Sequence, residues 1–184
     1  MTITYLGGNS FKIKGSSTVV AISDTVVPDS DILVSTQAPN FPNLPNSPQS
    51  PFLIDSSGEY EVKGVHIYGY NTQKDNLAFL INIDGFNIVH LGATKKLLDD
   101  DLASELSTAD ILMLSVGGKS TMDTETATEI VSQIEPKIVI PMNFETIDDF
   151  TKAMGRVKTD DLDKLSLKSP GDLPEETEVI ILKS

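Results

Sequence analysis

The chain changes its hydrophobic period part-way along, and that change limits what it can fold into. Up to Leu91 it reads as short runs of β-branched and apolar residues punctuated by turn pairs. Thr2–Leu6, Phe11–Ile13 and Thr18–Ile22 are separated by Gly7-Gly8 and Gly15-Ser16, and Asp31–Ser35 reads as a short buried strand. Glu59–Val62 and Val65–Tyr70 flank Lys63-Gly64, and Leu77–Ile83 and Phe86–Leu91 flank Asp84-Gly85. The last pair predicts a hairpin, because Asp and Gly both tolerate positive φ. Beyond Leu91, apolar strands alternate with helical patterns. Leu97–Leu106 predicts a short acidic helix and Asp110–Val116 a buried strand. In Asp123–Ile134, Ala127, Ile130, Val131 and Ile134 share one helical face, with Asp123 or Thr124 as its cap. Lys137–Ile140 is a further strand, Thr146–Met154 a helix and Glu178–Leu182 a last strand. Residues 37–51 carry five prolines and three asparagines and predict a loop. Hairpin strands followed by strand–helix–strand units predict two sheets with helices packed outside them. No repeat or long linker divides the chain, so residues 1–184 are expected to form one domain.

Composition narrows the functions. Twenty-seven acidic against 14 basic residues leave a net charge of −13, which repels phosphate backbones and anionic lipid and argues against nucleic-acid and membrane partners. There is no apolar run of membrane-spanning length, and Met1–Leu6 reads as a strand, not a leader. With no cysteine there is no disulfide, thiolate metal site or cysteine nucleophile, and cytoplasmic residence is expected. His66 and His90 are the only histidines. Imidazole is the commonest zinc ligand and the commonest base near neutral pH, so metal and acid–base chemistry are both thinly supplied.

Several separated motifs resemble one family. Leu6-Gly7-Gly8-Asn9-Ser10-Phe11 resembles an opening Leu-Gly-His-x-Ser-Phe, and Leu33-Val34-Ser35-Thr36-Gln37-Ala38-Pro39-Asn40-Phe41 resembles Leu-Val-Ser-His-x-His-Pro-Asp-His. Gly58-Glu59-Tyr60-Glu61-Val62-Lys63-Gly64, His90-Leu91-Gly92, Val116-Gly117-Gly118 with Thr121-Met122-Asp123, and Ile134–Met142 follow in order. Together they resemble the small prokaryotic, lactonase-like Zn-dependent hydrolases of the metallo-β-lactamase fold. The resemblance implies an α+β, four-layer αββα sandwich of two mixed sheets, with a site where strand-end loops converge.

It also shows what is missing. Where the family has three histidines and an aspartate in its first loop, this chain has Thr36, Ala38 and Phe41, with Asn40 for the aspartate. The loop after Val65–Tyr70, read as Asn71–Asp75, has no histidine. Ala93 stands for the bridging aspartate, Asn143 for the last histidine and Gly8 for a histidine of the opening turn. Methyl and phenyl groups offer no electron pair to zinc, and hydroxyl and amide oxygens offer weak ones. No cofactor is therefore expected, and Ala38 and Phe41 are expected to help fill an uncharged pocket. Asp24, His90 and Asp123 are its expected neighbours.

Other residues have plain structural readings. His90, in the His-Leu-Gly turn, reads as a hydrogen-bonded structural histidine; Ser115 and Ser120 lack a Gly-x-Ser-x-Gly elbow for it to serve. His66, between Val65 and Ile67, is expected to face outward, and Glu59 and Glu61 to share one strand face. Asp99-Asp100-Asp101 suits a helix start, and Gly117-Gly118 a tight loop without the Walker lysine pattern. The leading expectation is a family member that has lost its dinuclear zinc and hydrolase activity and works by binding or assembly. Its partners would be a second copy, an active paralogue or a small molecule. The alternative is a hydrolase with a relocated, weakly metal-dependent site drawn from Asp24, Asp123 and Glu145.

Overall fold

The computed structural model describes residues 1–37 and 50–184, with the side chains of residues 159–161 outside the description. Ala38, Asn40 and Phe41 lie outside the described residues. The elements are β1 Thr2–Gly7, β2 Ser10–Lys14, β3 Val19–Ile22, β4 Ile32–Val34, β5 Phe52–Ile54, β6 Gly58–Val62, β7 Val65–Gln73, β8 Asn76–Ile83 and β9 Phe86–His90. There follow α1 Asp100–Leu106, β10 Ile111–Ser115, α2 Thr124–Ile134, β11 Ile138–Met142, α3 Asp148–Met154, β12 Val157–Leu162, β13 Lys164–Ser166 and β14 Glu178–Leu182. They build a six-stranded sheet, β13-β1-β2-β3-β4-β5, and an eight-stranded sheet, β12-β14-β11-β10-β9-β8-β7-β6. Both are mixed, with antiparallel hairpins and parallel pairs such as β3–β4 and β10–β11.

The turn chemistry sets the hairpins. Asp84 and Gly85 take φ of 53° and 81°, and Lys63 and Gly64 take 51° and 76°, the paired positive φ that two-residue hairpins require. Ile83 then pairs with Phe86, and Val62 with Val65. The inner faces of the sheets share one core, in which Ile3, Phe11, Ile13, Val20 and Ile32 meet Ile67, Phe79, Ile81, Ile111 and Ile140. Alternate residues of the eight-stranded sheet, such as Leu80, Val89, Leu112 and Val139, face the other way. They pack with Leu106 of α1, Ile130 and Ile134 of α2 and Phe150 of α3 in a second core. Strand β8 is buried on both faces over Leu77–Ile81, which is why that run is apolar without a break. All three α-helices thus lie on the outer side of the eight-stranded sheet. Asp123 caps α2, its carboxylate accepting from the Thr126 N–H at 2.7 Å.

Three expectations are corrected. Asn71–Gln73 belong to β7, with only Lys74-Asp75 as turn, because Gln73 still pairs with Asn76. Helix α1 starts at Asp100, since the Asp99 side chain caps it; Leu97 lies before it and is 53% exposed. Strands β5, β12 and β13 are additions. β12 and β13 are short, polar edge or near-edge segments whose pairing comes from the sheet, not from their own pattern.

Candidate functional site

The turns after β1, β4, β7, β9 and β11 carry the positions singled out in the sequence, and two uncharged side chains tie them together. The first is Asn76, at the start of β8 and 3% exposed. Its Oδ1 accepts from the Ala93 N–H at 2.7 Å. Its Nδ2 donates to Thr72 Oγ1 at 2.6 Å, to the Leu91 carbonyl at 3.1 Å and to Thr94 Oγ1 at 3.1 Å. The Thr94 hydroxyl donates to the Leu91 carbonyl and lies 3.1 Å from Thr72 Oγ1, and Gln73 Nε2 donates to the Ala93 carbonyl at 3.2 Å. Thr36, 3% exposed, joins through its carbonyl, which accepts from the Leu77 N–H at 2.8 Å. Gly92, at φ +60°, closes the packing: a Cβ there would meet Asn76 Oδ1 at 2.5 Å and the Leu77 carbonyl at 2.7 Å.

The second is Tyr5 of β1. Its hydroxyl accepts from the Asn143 N–H at 3.0 Å and donates to the Gly8 carbonyl at 2.9 Å, bridging the two sheets. Burial raises this phenol's pKa, partly offset by the Asn143 N–H, so the hydroxyl keeps its proton. Asn143 holds φ of 55°, a left-handed conformation that asparagine tolerates, and its side chain is exposed.

His90 links the two groups. It is fully buried, edge-on to Phe11, which stacks at 4.9 Å on Tyr5. Its Nδ1 accepts from the Gly92 N–H at 3.0 Å, so the proton sits on Nε2, which donates to the Asn9 carbonyl at 3.0 Å. Burial pushes its pKa down to about 4, against the raising effect of the Asn9 carbonyl, and the ring is neutral at physiological pH. The structural reading of His90 therefore holds, and with both nitrogens engaged it is not poised as a base. His66 is exposed on β7, as expected.

The acidic candidates do not gather. Asp24 is exposed after β3, 3.3 Å from Ser35 Oγ; Asp123 caps α2; Glu145 pairs with Lys119 at 3.9 Å. Among the described residues no group of three or more His, Cys, Asp or Glu side chains is arranged to hold a metal. Residues 38–49, Ala-Pro-Asn-Phe-Pro-Asn-Leu-Pro-Asn-Ser-Pro-Gln, contribute none of these residue types. The donors at the described ligand positions are a hydroxyl at Thr36, a methyl at Ala93 and an exposed amide at Asn143, a set that does not fit a dinuclear zinc centre.

Residues 2–143 match the model of the beta-lactamase superfamily domain. The chain belongs to that superfamily. A Methanosarcina mazei protein named a UPF0173 metal-dependent hydrolase is 37% identical over 101 residues, which span 51% of this chain and 43% of the relative. The chain thus matches under half the length of that curated relative. A crystal structure of a candidate Zn-dependent hydrolase of the metallo-β-lactamase superfamily from Thermotoga maritima superposes with a TM-score of 0.83. It is 24% identical and covers 98% of this chain and 97% of its own. The metallo-β-lactamase fold protein YhfI from Bacillus subtilis gives a TM-score of 0.70 at 10% identity, covering 100% and 96%. At these identities the likeness is one of fold. For this superfamily member, sequence reasoning singled out the turns that carry Thr36, Ala93 and Asn143 but missed Asn76, Thr72, Thr94 and Tyr5. The available signal was an asparagine directly after a turn, at the head of the apolar run Leu77–Ile81.

Proposed function

We propose that this superfamily member works without the dinuclear zinc that the family resemblance implies, as a binding or assembly protein and not as a hydrolase. One observation carries the reading. Ala93, where the resemblance places the bridging aspartate, is half-buried and held by the buried Asn76 amide in an uncharged network. A dication set there would meet no balancing carboxylate and would displace satisfied hydrogen bonds. Metal-bound water supplies the nucleophile in zinc hydrolases. The chain's own residues offer no substitute: His90 is spent on two backbone groups and the acidic residues are dispersed. A cysteine-free chain of charge −13 suits the cytoplasm, with a second copy or an active paralogue as partner.

The names of the relatives favour a second reading, a metal-dependent hydrolase, for which oxygen donors would suit magnesium or manganese better than zinc. Metal analysis of protein purified from zinc-replete medium decides between them, alongside ester, lactone and phosphodiester hydrolysis with and without chelator. Substoichiometric metal and no chelator-sensitive turnover are expected. Stoichiometric zinc, or turnover restored by manganese, would refute the proposal. Light scattering tests assembly, and a monomer at high concentration would remove that half of it.

A further inference from the structure

Among the described residues no helix covers the outer face of the six-stranded sheet, so its strands form that surface themselves. Ile3, Phe11, Ile13 and Leu165 point into the shared core, and the residues between them point out. In register, Lys164 stands beside Thr4 and Thr4 beside Lys12, while Ser166 stands beside Thr2 and Thr2 beside Lys14. Three lysines are thus gathered on β13 and β2, and no outward position of β13, β1 or β2 carries a carboxylate. Lys14 and Lys164 are exposed; Lys12 is half-buried and donates to the Pro28 carbonyl at 3.0 Å. Asp29 and Asp163 lie in the loops that border this face, off its strands.

The outer face of the other sheet carries the reverse charge along β6 and β7. Tyr60, Val65 and Ile67 face the shared core, which turns Glu59, Glu61, His66, Tyr68 and Tyr70 outward. Glu59 stands beside Tyr68 and Glu61 beside His66, on the two strands at the free edge of the sheet. Both glutamates are exposed and both tyrosines half-buried. Burial, then the Glu105 carboxylate in the last turn of α1, push the Tyr70 phenol up to about 12, and Glu59 adds to the shift. Glu59, Glu61 and Glu105 therefore share one surface with two aromatic rings, whose faces attract cations. Of the lysines in the turns that flank β7, Lys63 is paired with Asp31, and Lys74 lies at the far end.

These two faces are on opposite outer sides of the sandwich, so one molecule cannot bring its lysines to its own glutamates. From this we infer that they meet between molecules: the Lys12, Lys14 and Lys164 face of one copy docks on the Glu59, Glu61 and Glu105 face of a second copy, with lysines over Tyr68 and Tyr70. Like-on-like pairing of either face would set equal charges against each other, so the contact is head-to-tail and leaves a docking face at each end. The inference deepens the proposal above by naming the partner and its orientation, and it rests on the assembly half of that reading alone.

Light scattering and sedimentation velocity of the full chain, in chelator, test it. Mean mass should rise past the dimer with protein concentration at about 0.02 M salt and return to the monomer at about 1 M, where the Debye length is about 3 Å. Lys14→Gln with Lys164→Gln, and separately Glu59→Gln with Glu61→Gln, change only exposed side chains. Each pair should weaken self-association about tenfold, the worth of two exposed ion pairs, with the circular dichroism spectrum unchanged. An equimolar mixture of the two variants keeps one intact face from each, so it should form a dimer and stop there. A salt-independent dimer, variants that associate as the wild type does, or a mixture that stays monomeric or grows past the dimer would overturn this docking and leave assembly through another face standing. A wild type that is monomeric at every salt concentration would remove the docking and the assembly reading together. Zinc content, measured separately without chelator, bears on the metal-free reading alone.

Discussion

Replacing Asn76 by alanine tests whether one uncharged amide holds the turns after β7 and β9 together. The side chain accepts one bond from the Ala93 N–H and donates to Thr72, Leu91 and Thr94. After truncation the two hydroxyls can still bond each other and the Leu91 carbonyl, but the Ala93 N–H loses its acceptor. The two Nδ2 protons are shared among the three acceptors, so three bonds are lost in all; at about 1 kcal/mol net each, with the penalty of one stranded donor offset by hydroxyl rearrangement, the loss is about 3 kcal/mol. For a chain of this size that lowers Tm by about 6–12 °C. Urea denaturation followed by circular dichroism, in wild type and Asn76→Ala, measures it directly; the m-value should not change. Wild-type stability should be the same with and without chelator. A loss below about 1 kcal/mol, or a chelator-sensitive wild type, would refute the idea that Asn76 holds these turns together.

Two further outcomes follow from the same geometry. His90 stays neutral in the fold to about pH 4, while an unfolded histidine takes a proton below about 6.5. Stability is therefore complete above pH 6.5 and falls by about 3 kcal/mol as pH drops to 4. His90→Gln should lose that slope in urea titrations against pH, and parallel slopes would contradict it. Tyr5→Phe strands the Asn143 N–H and should cost about 1 kcal/mol, with faster hydrogen exchange at Asn143. Unchanged exchange there would show that the bridge is not formed in solution.

Legibility differed between scaffold and site for a reason visible in particular residues. Asp84-Gly85 and Lys63-Gly64 carry their φ requirement in their own chemistry, so their hairpins could be read directly. Helix α2 likewise announces its buried face at Ala127, Ile130, Val131 and Ile134. Strands β12 and β13 carry no such pattern, because their pairing partners lie far along the chain: Thr2 meets Ser166, and Val157 meets Val179. Asn71–Gln73 looked like loop because asparagine, threonine and glutamine are poor strand signals, yet pairing with β8 holds them extended.

Local residue chemistry was enough to determine that turns would fall at Gly- and Asp-containing pairs and that two sheets would need helices. Those properties belong to single residues or short windows. What ties the strand-end turns to one another was decided only in three dimensions. Asn76 and Ala93 are brought together by the β8–β9 hairpin, and Tyr5 and Asn143 by the packing of one sheet on the other. A hydrogen bond between residues 138 positions apart leaves no trace in local pattern, because its partners become neighbours only once the core has closed.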